Sequence, residues 1–308
     1  MRELKLLDAL WEIITPVTGP GALGPGDDAA LVPLKGAAVV SVDQTVSGVH
    51  TDPRFVSAED FGWRAVATAL SDLAAMGCSA KAVLIALTYP PNTSSNELRS
   101  FAEGANAAAA EAGARIYGGD ISSGPAMAAT VTVIGEAPEG ADPVQRGGAK
   151  VGDLVGVTGQ LGGSAGGLAL LQANSNSEDG ARYRRPQALI TEGQQLAAAG
   201  ATAMIDISDG LATDARHLGE ASGALIEIDL AQVPIDPICE RAAELADRDP
   251  VELAATGGED FELLFTAPEA ARDTIDQALE CRVTWIGKTV KGEAGTNLAD
   301  LGLQGWQH

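Results

Sequence analysis

Apolar positions along this chain follow two alternating periods. In the first half, 37–42 and 82–88 are predominantly apolar runs of strand length, and 129–135 alternates around Val131 and Val133 as a half-covered strand. Between them lie stretches of helical character. Ser57 with Asp60 opens one helix that runs to about Gly77, and Ser94 with Glu97 opens an Ala-rich second that stops near Gly113. At the start, Leu4, Leu7, Trp11 and Ile14 recur at helical spacing with Glu3 and Asp8 among them, which predicts an amphipathic helix and not a secretion signal.

The stretch 136–153 is dense in Gly, Pro and charge and marks a linker. The expected domains are therefore 1–137 and 138–308. In the second, strands are predicted at 154–158, 203–207, 225–229, 261–266 and 283–288. Helices are predicted at 187–199, from Ser208 and Asp209 onward, near 238–246 and at 268–280. The fold class is α/β, of α+β type. At 308 residues and 45% apolar content the chain can bury a core in each domain.

Charge and cysteines narrow the function classes. With 42 acids against 20 bases the net charge is −22, which repels nucleic acid. No apolar run reaches the ~18 residues of a membrane span. Cys78, Cys239 and Cys281 are widely spaced and without CxxC, pointing to a reducing, cytoplasmic setting and no zinc.

Six short runs end apolar stretches in aspartate: GDDAA at 26–30, SVD at 41–43, SDLAAMG at 71–77, GGD at 118–120, IDISDG at 205–210 and GGEDFE at 257–262. An acid there is costly unless a cation compensates it. Asp72 is the most telling, because Thr68, Ala69 and Met76 make its helical neighbours small or apolar. Asp43 ends a strand, where α/β sheets place ligands. Asp206 and Asp209 flank Ser208 at a strand-to-helix junction whose amides suit an anion, although Asp209 also fits an ordinary first-turn acid. Asp27 and Asp28 follow Gly26, and such a turn is itself a place for Asp. Oxygen donors without His or Cys suit several Mg²⁺ ions and a polyphosphate substrate, most simply ATP. The glycine-rich GQLGGSAGG at 159–167 is a second candidate cradle for phosphate.

Together GDDAA, SVDQTVSGVH, LSDLAAMG, YGGD, RGGAKVGD, VTGQLGGSAGG, MIDISDGL and GGEDFELLFT span nearly the whole chain. In this order they resemble the thiamine-monophosphate kinases, of the superfamily that also holds aminoimidazole ribonucleotide synthetase, selenophosphate synthetase and a hydrogenase maturation protein. The resemblance implies transfer of the γ-phosphate of ATP to thiamine monophosphate, directly and without a general base, in a homodimer joined through the first domains' sheets. It places magnesium ligands on Asp28, Ser41, Asp43, Asp72, Asp120, Asp206 and Asp209. ATP contacts fall on Gly119, Asp120, Arg146 and Ser208, and substrate contacts on His50, Glu259 and a late aromatic, Trp306. The chain departs from the family pattern at Val42, Ser47 and Thr51. Its ending GLQGWQH lacks the cysteine tail of the hydrogenase maturation protein, and no Cys precedes Cys78 as a selenophosphate synthetase would need. The alternatives are another ATP-using enzyme of the superfamily and a non-catalytic metal-binding homologue.

Overall fold

The computed structural model describes residues 10, 12–24, 29–173 and 177–305. Most of the expected N-terminal helix lies outside the described residues, as do Asp27, Asp28 and Trp306. The chain forms two compact units: one takes the residues up to Leu73 with Cys78–Ala141, the other Ala74–Gly77 with the chain from Asp142.

Among the described residues the first unit is a mixed four-stranded sheet with two helices. Its strands are β1 (Ala38–Val46), β2 (Ser79–Tyr89), β3 (Arg115–Ser123) and β4 (Ala128–Glu136), in the order β1-β4-β2-β3. β2 and β3 are parallel and the other pairs antiparallel. The parallel pair is joined through helix α2 (Ser95–Glu111), as a crossover requires. The expected capping box at Ser94 forms, and Ser57 caps its helix through its side chain. Ser94 Oγ accepts from Glu97 N–H while Glu97 accepts from Ser94 N–H, and at helix α1 (Ala58–Ala75) Ser57 Oγ accepts from Asp60 N–H and donates to its carboxylate.

Glycine sets the spacing of the two helices. A Cβ on Gly62 would stand 2.0 Å from the Phe101 carbonyl oxygen, and one on Gly104 would stand 1.9 Å from that of Glu59. The backbones touch because neither residue has a side chain. Beneath them Val83, Ile85, Leu87, Val131 and Val133 are buried.

β1 runs four residues past its expected end and is not uniformly buried. Val40 and Val42 are 59% and 61% exposed, whereas Ser41, Asp43 and Thr45 turn toward the helices. The apolar run 37–42 thus serves two faces.

The second unit has six strands in the order β10-β7-β9-β5-β8-β6. They are β5 (Leu154–Thr158), β6 (Ala203–Asp206), β7 (Leu225–Ile228), β8 (Leu263–Ala267), β9 (Val283–Val290) and β10 (Gly295–Thr296). The helices used below are α3 (Gly163–Gln172), α4 (Ala181–Arg184), α5 (Ile190–Ala199) and α6 (Leu211–Ser222). Val155, Val157, Ile205, Leu264 and Ile286 are buried in one cluster with Leu211 and Leu218 of α6. Two expectations shift. α6 begins at Leu211 and not at Ser208, and the 261–266 strand begins at Leu263, because 257–262 takes an irregular path. No described helix is long and apolar enough to cross a membrane.

Candidate active site

In the first unit the elements bring Ser41, Asp43 and Asp72 to the helix-facing side of the sheet. Asp72 sits one turn from the end of α1, and Ser41 Oγ donates to its Oδ2 at 2.5 Å. Asp43 is two residues along β1 on the same face, with Oδ1 accepting from Gln44 N–H at 2.7 Å. Asp60, Arg64, Thr68 and Asp72 recur every fourth residue, a polar line down an otherwise apolar helix. Arg64 is fully buried and Thr68 nearly so. A cation inside an apolar helix is a signal the sequence carries as plainly as Asp72 does.

Asp120 is placed differently. Asp43 shares a row with Val131, Ile85 and Gly119, whereas Asp120 belongs to the next row with Thr130 and Ala86, on the other face. A β-bulge sets this phase: Ile116 pairs with Val83 and Gly118 with Leu84, leaving Tyr117 extra. Gly119 is required by close approach, since a Cβ there would lie 2.0 Å from the Ile85 carbonyl oxygen. His50 closes the turn after β1, and its Nδ1 accepts from Val46 N–H at 2.9 Å. The neutral ring therefore carries its proton on Nε2.

In the second unit the IDISDG turn is built around an acid that was not among the expected residues. Asp214, in the first turn of α6, is 1% exposed, and its Oδ2 accepts from the N–H groups of both Ser208 and Asp209 at 3.1 Å. These two amides, expected to face an anion, are taken by the protein's own carboxylate. Burial, then the charges of Asp206 and Asp209, push Asp214 up to about 8. Asp206 is 4% exposed at the end of β6, and Asp209 half-buried. Crowding three acids into one turn is unfavourable without a cation nearby.

The Arg146 backbone is held at the C-terminal end of α6. Ser222 Oγ accepts from the Gly148 and Ala149 amides and donates to the Arg146 carbonyl. His217 of α6 lies between the acids and the bases: its Nδ1 is 3.9 Å from Asp214 Oδ1 and its Nε2 3.1 Å from an Arg216 nitrogen. Burial, then Arg216, with Arg146 adding, hold this imidazole below its usual range.

GGEDFE lies against this turn. Glu259 N–H donates to the Ser208 carbonyl at 2.7 Å and Phe261 N–H to that of Ile207 at 2.9 Å. Gly305 lands on the other side, its N–H donating to Thr213 Oγ1 at 3.0 Å. The glycine-rich turn at 159–167 is already filled: Asp260 accepts from the Gly162 and Ser164 amides at the start of α3. These two amides serve a carboxylate of the chain, as those of Ser208 and Asp209 do.

Among the described residues, no three His, Cys, Asp or Glu side chains converge on one point as a ready metal cage. Asp72 is joined to the Ser41 hydroxyl, and Asp206 and Asp209 share one turn with Asp214. All are hard oxygen donors, and Mg²⁺ is commonly held by one or two carboxylates with substrate phosphates completing its shell. The donor set fits magnesium. The three thiols, free and raised by burial to about 11, 12 and 11 at Cys78, Cys239 and Cys281, are not nucleophiles at neutral pH.

Residues 26–137 match the AIR synthase related protein N-terminal domain and 150–297 the corresponding C-terminal domain. A thiamine-monophosphate kinase of Mycobacterium tuberculosis is 39% identical over 284 residues, covering 89% of this chain and 84% of the relative. This chain belongs to the thiamine-monophosphate kinase family. With that membership it is an enzyme of the thiamine-phosphate kinase class. A solved thiamine-monophosphate kinase from Stenotrophomonas maltophilia K279a superposes with a TM-score of 0.84 at 32% identity, covering 95% of both chains. AaThiL complexed with AMPPCP and TMP superposes at 0.76 with 29% identity, covering 95% of this chain and 91% of that one.

Proposed function

We propose that this kinase moves the γ-phosphate of ATP directly to the phosphate of thiamine monophosphate, giving thiamine diphosphate. The observation that carries the reading is Asp72, a carboxylate on an apolar helix joined to Ser41 and on the same face as Asp43. Its family relatives bear the same activity in their names, and AaThiL was solved with AMPPCP and TMP.

The acceptor is already an anion, so no general base is needed. The barrier is repulsion, about 4 kcal/mol for two unit charges ~4 Å apart at an effective dielectric of ~20. Mg²⁺, when bound, supplies the positive charge that offsets this repulsion. In the first unit Asp28, Ser41, Asp43, Asp72 and Asp120 would hold such ions, and in the second Asp206 and Asp209. Arg146, with its fork of donors, and the Ser208 hydroxyl bind the triphosphate. Gly119, having no side chain, admits it against β3. The Glu259 carboxylate faces the cationic thiazolium, His50 donates to the acceptor, and Trp306 stacks on a ring. A direct test is the choice of acceptor. With ATP and Mg²⁺, thiamine monophosphate is converted and thiamine without its phosphate is not; comparable turnover of plain thiamine would contradict the reading.

The enzyme acts as a homodimer joined through the β1-β4-β2-β3 sheet, in a cytoplasmic setting that suits its free thiols. Support for the dimer comes from the outer face. Val40 is opposite Ile134, and Val42, Thr132 and Leu84 form one row, an apolar surface with its two valines well exposed. Val42→Glu is expected to convert the dimer to monomer in sedimentation velocity; an unchanged dimer would place the interface elsewhere.

A further inference from the structure

The segment 257–262 holds two non-glycine residues in left-handed backbone, Glu259 at φ 68° and Phe261 at φ 52°. Such residues cost free energy and persist only where their surroundings over-determine them. Three sets of bonds do so here. On one side the Glu259 and Phe261 amides are fixed to Ser208 and Ile207. On the other, Asp260 is buried and accepts from Gly162 N–H at 2.6 Å and Ser164 N–H at 3.1 Å, at the start of the ten-residue α3. Glu262 is the third anchor, accepting from Thr158 Oγ1 at 2.7 Å and from Arg182 at 2.6 Å.

The anchors leave no room for relaxation. A Cβ on Gly258 would lie 2.4 Å from the Ser208 carbonyl oxygen, and one on Gly159 2.2 Å from Glu262. The side chains of Asp260 and Glu262 and the amides of Glu259 and Phe261 are thus all pinned, and the Glu259 side chain is carried on this fixed backbone. A loop needing only to connect the helix Pro250–Thr256 to β8 would place glycine at the left-handed position 259.

We propose that Asp260 is a positioning residue: docked on the α3 amides, it forces the left-handed turn that aims Glu259, and the enzyme keeps this strained turn to select the acceptor. The inference rests on the reading of Glu259 as the residue facing thiamine monophosphate. Asp260 touches no substrate itself and acts through its neighbour.

The experiment is steady-state kinetics with thermal unfolding on the full-length enzyme. Glu259→Gln keeps the turn and loses the charge, so KM for thiamine monophosphate rises at least fivefold, KM for ATP stays within twofold and the midpoint does not move. Glu259→Gly removes the strain as well, so the same rise in KM comes with a midpoint about 2 °C higher. Asp260→Asn loses one of the two acceptor contacts and raises KM for thiamine monophosphate alone. The Asp260→Asn, Glu259→Gln double variant is no worse than the poorer single variant, because both act through one group. An unchanged KM in Glu259→Gln would overturn the reading of Glu259. Multiplying effects in the double variant, or equal losses toward ATP in Asp260→Asn, would overturn the positioning role. Should Asp260→Asn not fold, a Glu259→Gly midpoint at or below wild type would do so.

Discussion

Asn in place of Asp72 is expected to lower kcat about a thousandfold, on the order of 4 kcal/mol in the barrier, with the unfolding midpoint close to that of the wild type. Asn keeps the shape and an oxygen to accept from Ser41 Oγ, so the β1–α1 contact survives the change. What it removes is the negative charge. That charge has no structural duty as an N-terminal helix acid, since Asp72 lies near the C-terminal end of α1, where the helix dipole disfavours it. Circular dichroism and the rate of thiamine diphosphate formation check both halves, and retained activity would remove Asp72 from the site.

Gly62→Ala is expected to do the reverse, destabilising the first unit with the site's residues unchanged. The new methyl would meet the Phe101 carbonyl at 2.0 Å, and that atom belongs to a helix backbone and cannot swing aside. α1 and α2 must separate, which costs about 3 kcal/mol and lowers the midpoint by on the order of 10 °C. The gain in helix propensity, at most ~1 kcal/mol, does not offset this. Differential scanning calorimetry of the variant measures the shift; a midpoint at or above wild type would mean the helices do not pack through these glycines.

The elements that the sequence made legible are those whose boundaries are local. Ser57 with Asp60 and Ser94 with Glu97 name their own helix starts, the first through its side-chain cap and the second through a complete capping box. The alternation around Val131 and Val133 became β4 with both valines buried. Less visible were features that depend on distant partners. The start of α6 was expected at Ser208, where residue type favours a cap, but Asp214 reaches back and holds the turn open to Gly210. The glycine-rich turn looked like a phosphate cradle because the acid that fills it lies about a hundred residues on. Val40 and Val42 read as core by hydropathy, whereas the pleat directs them outward and Ser41 and Asp43 inward. For the site, residue type and strand-end position singled out Asp43, Asp72 and Asp206. Asp214 and Asp260, buried and charged, were overlooked because a single acid in a chain of −22 carries no mark of its burial.

The central claim is the identity of the reaction. The measurement is the fate of label from [γ-³²P]ATP given to the purified enzyme with Mg²⁺ and an equimolar mixture of thiamine monophosphate and an aminoimidazole precursor. The expected result is label in thiamine diphosphate, one per ATP consumed. Label released as inorganic phosphate with turnover of the aminoimidazole precursor, and none in thiamine diphosphate, would contradict it.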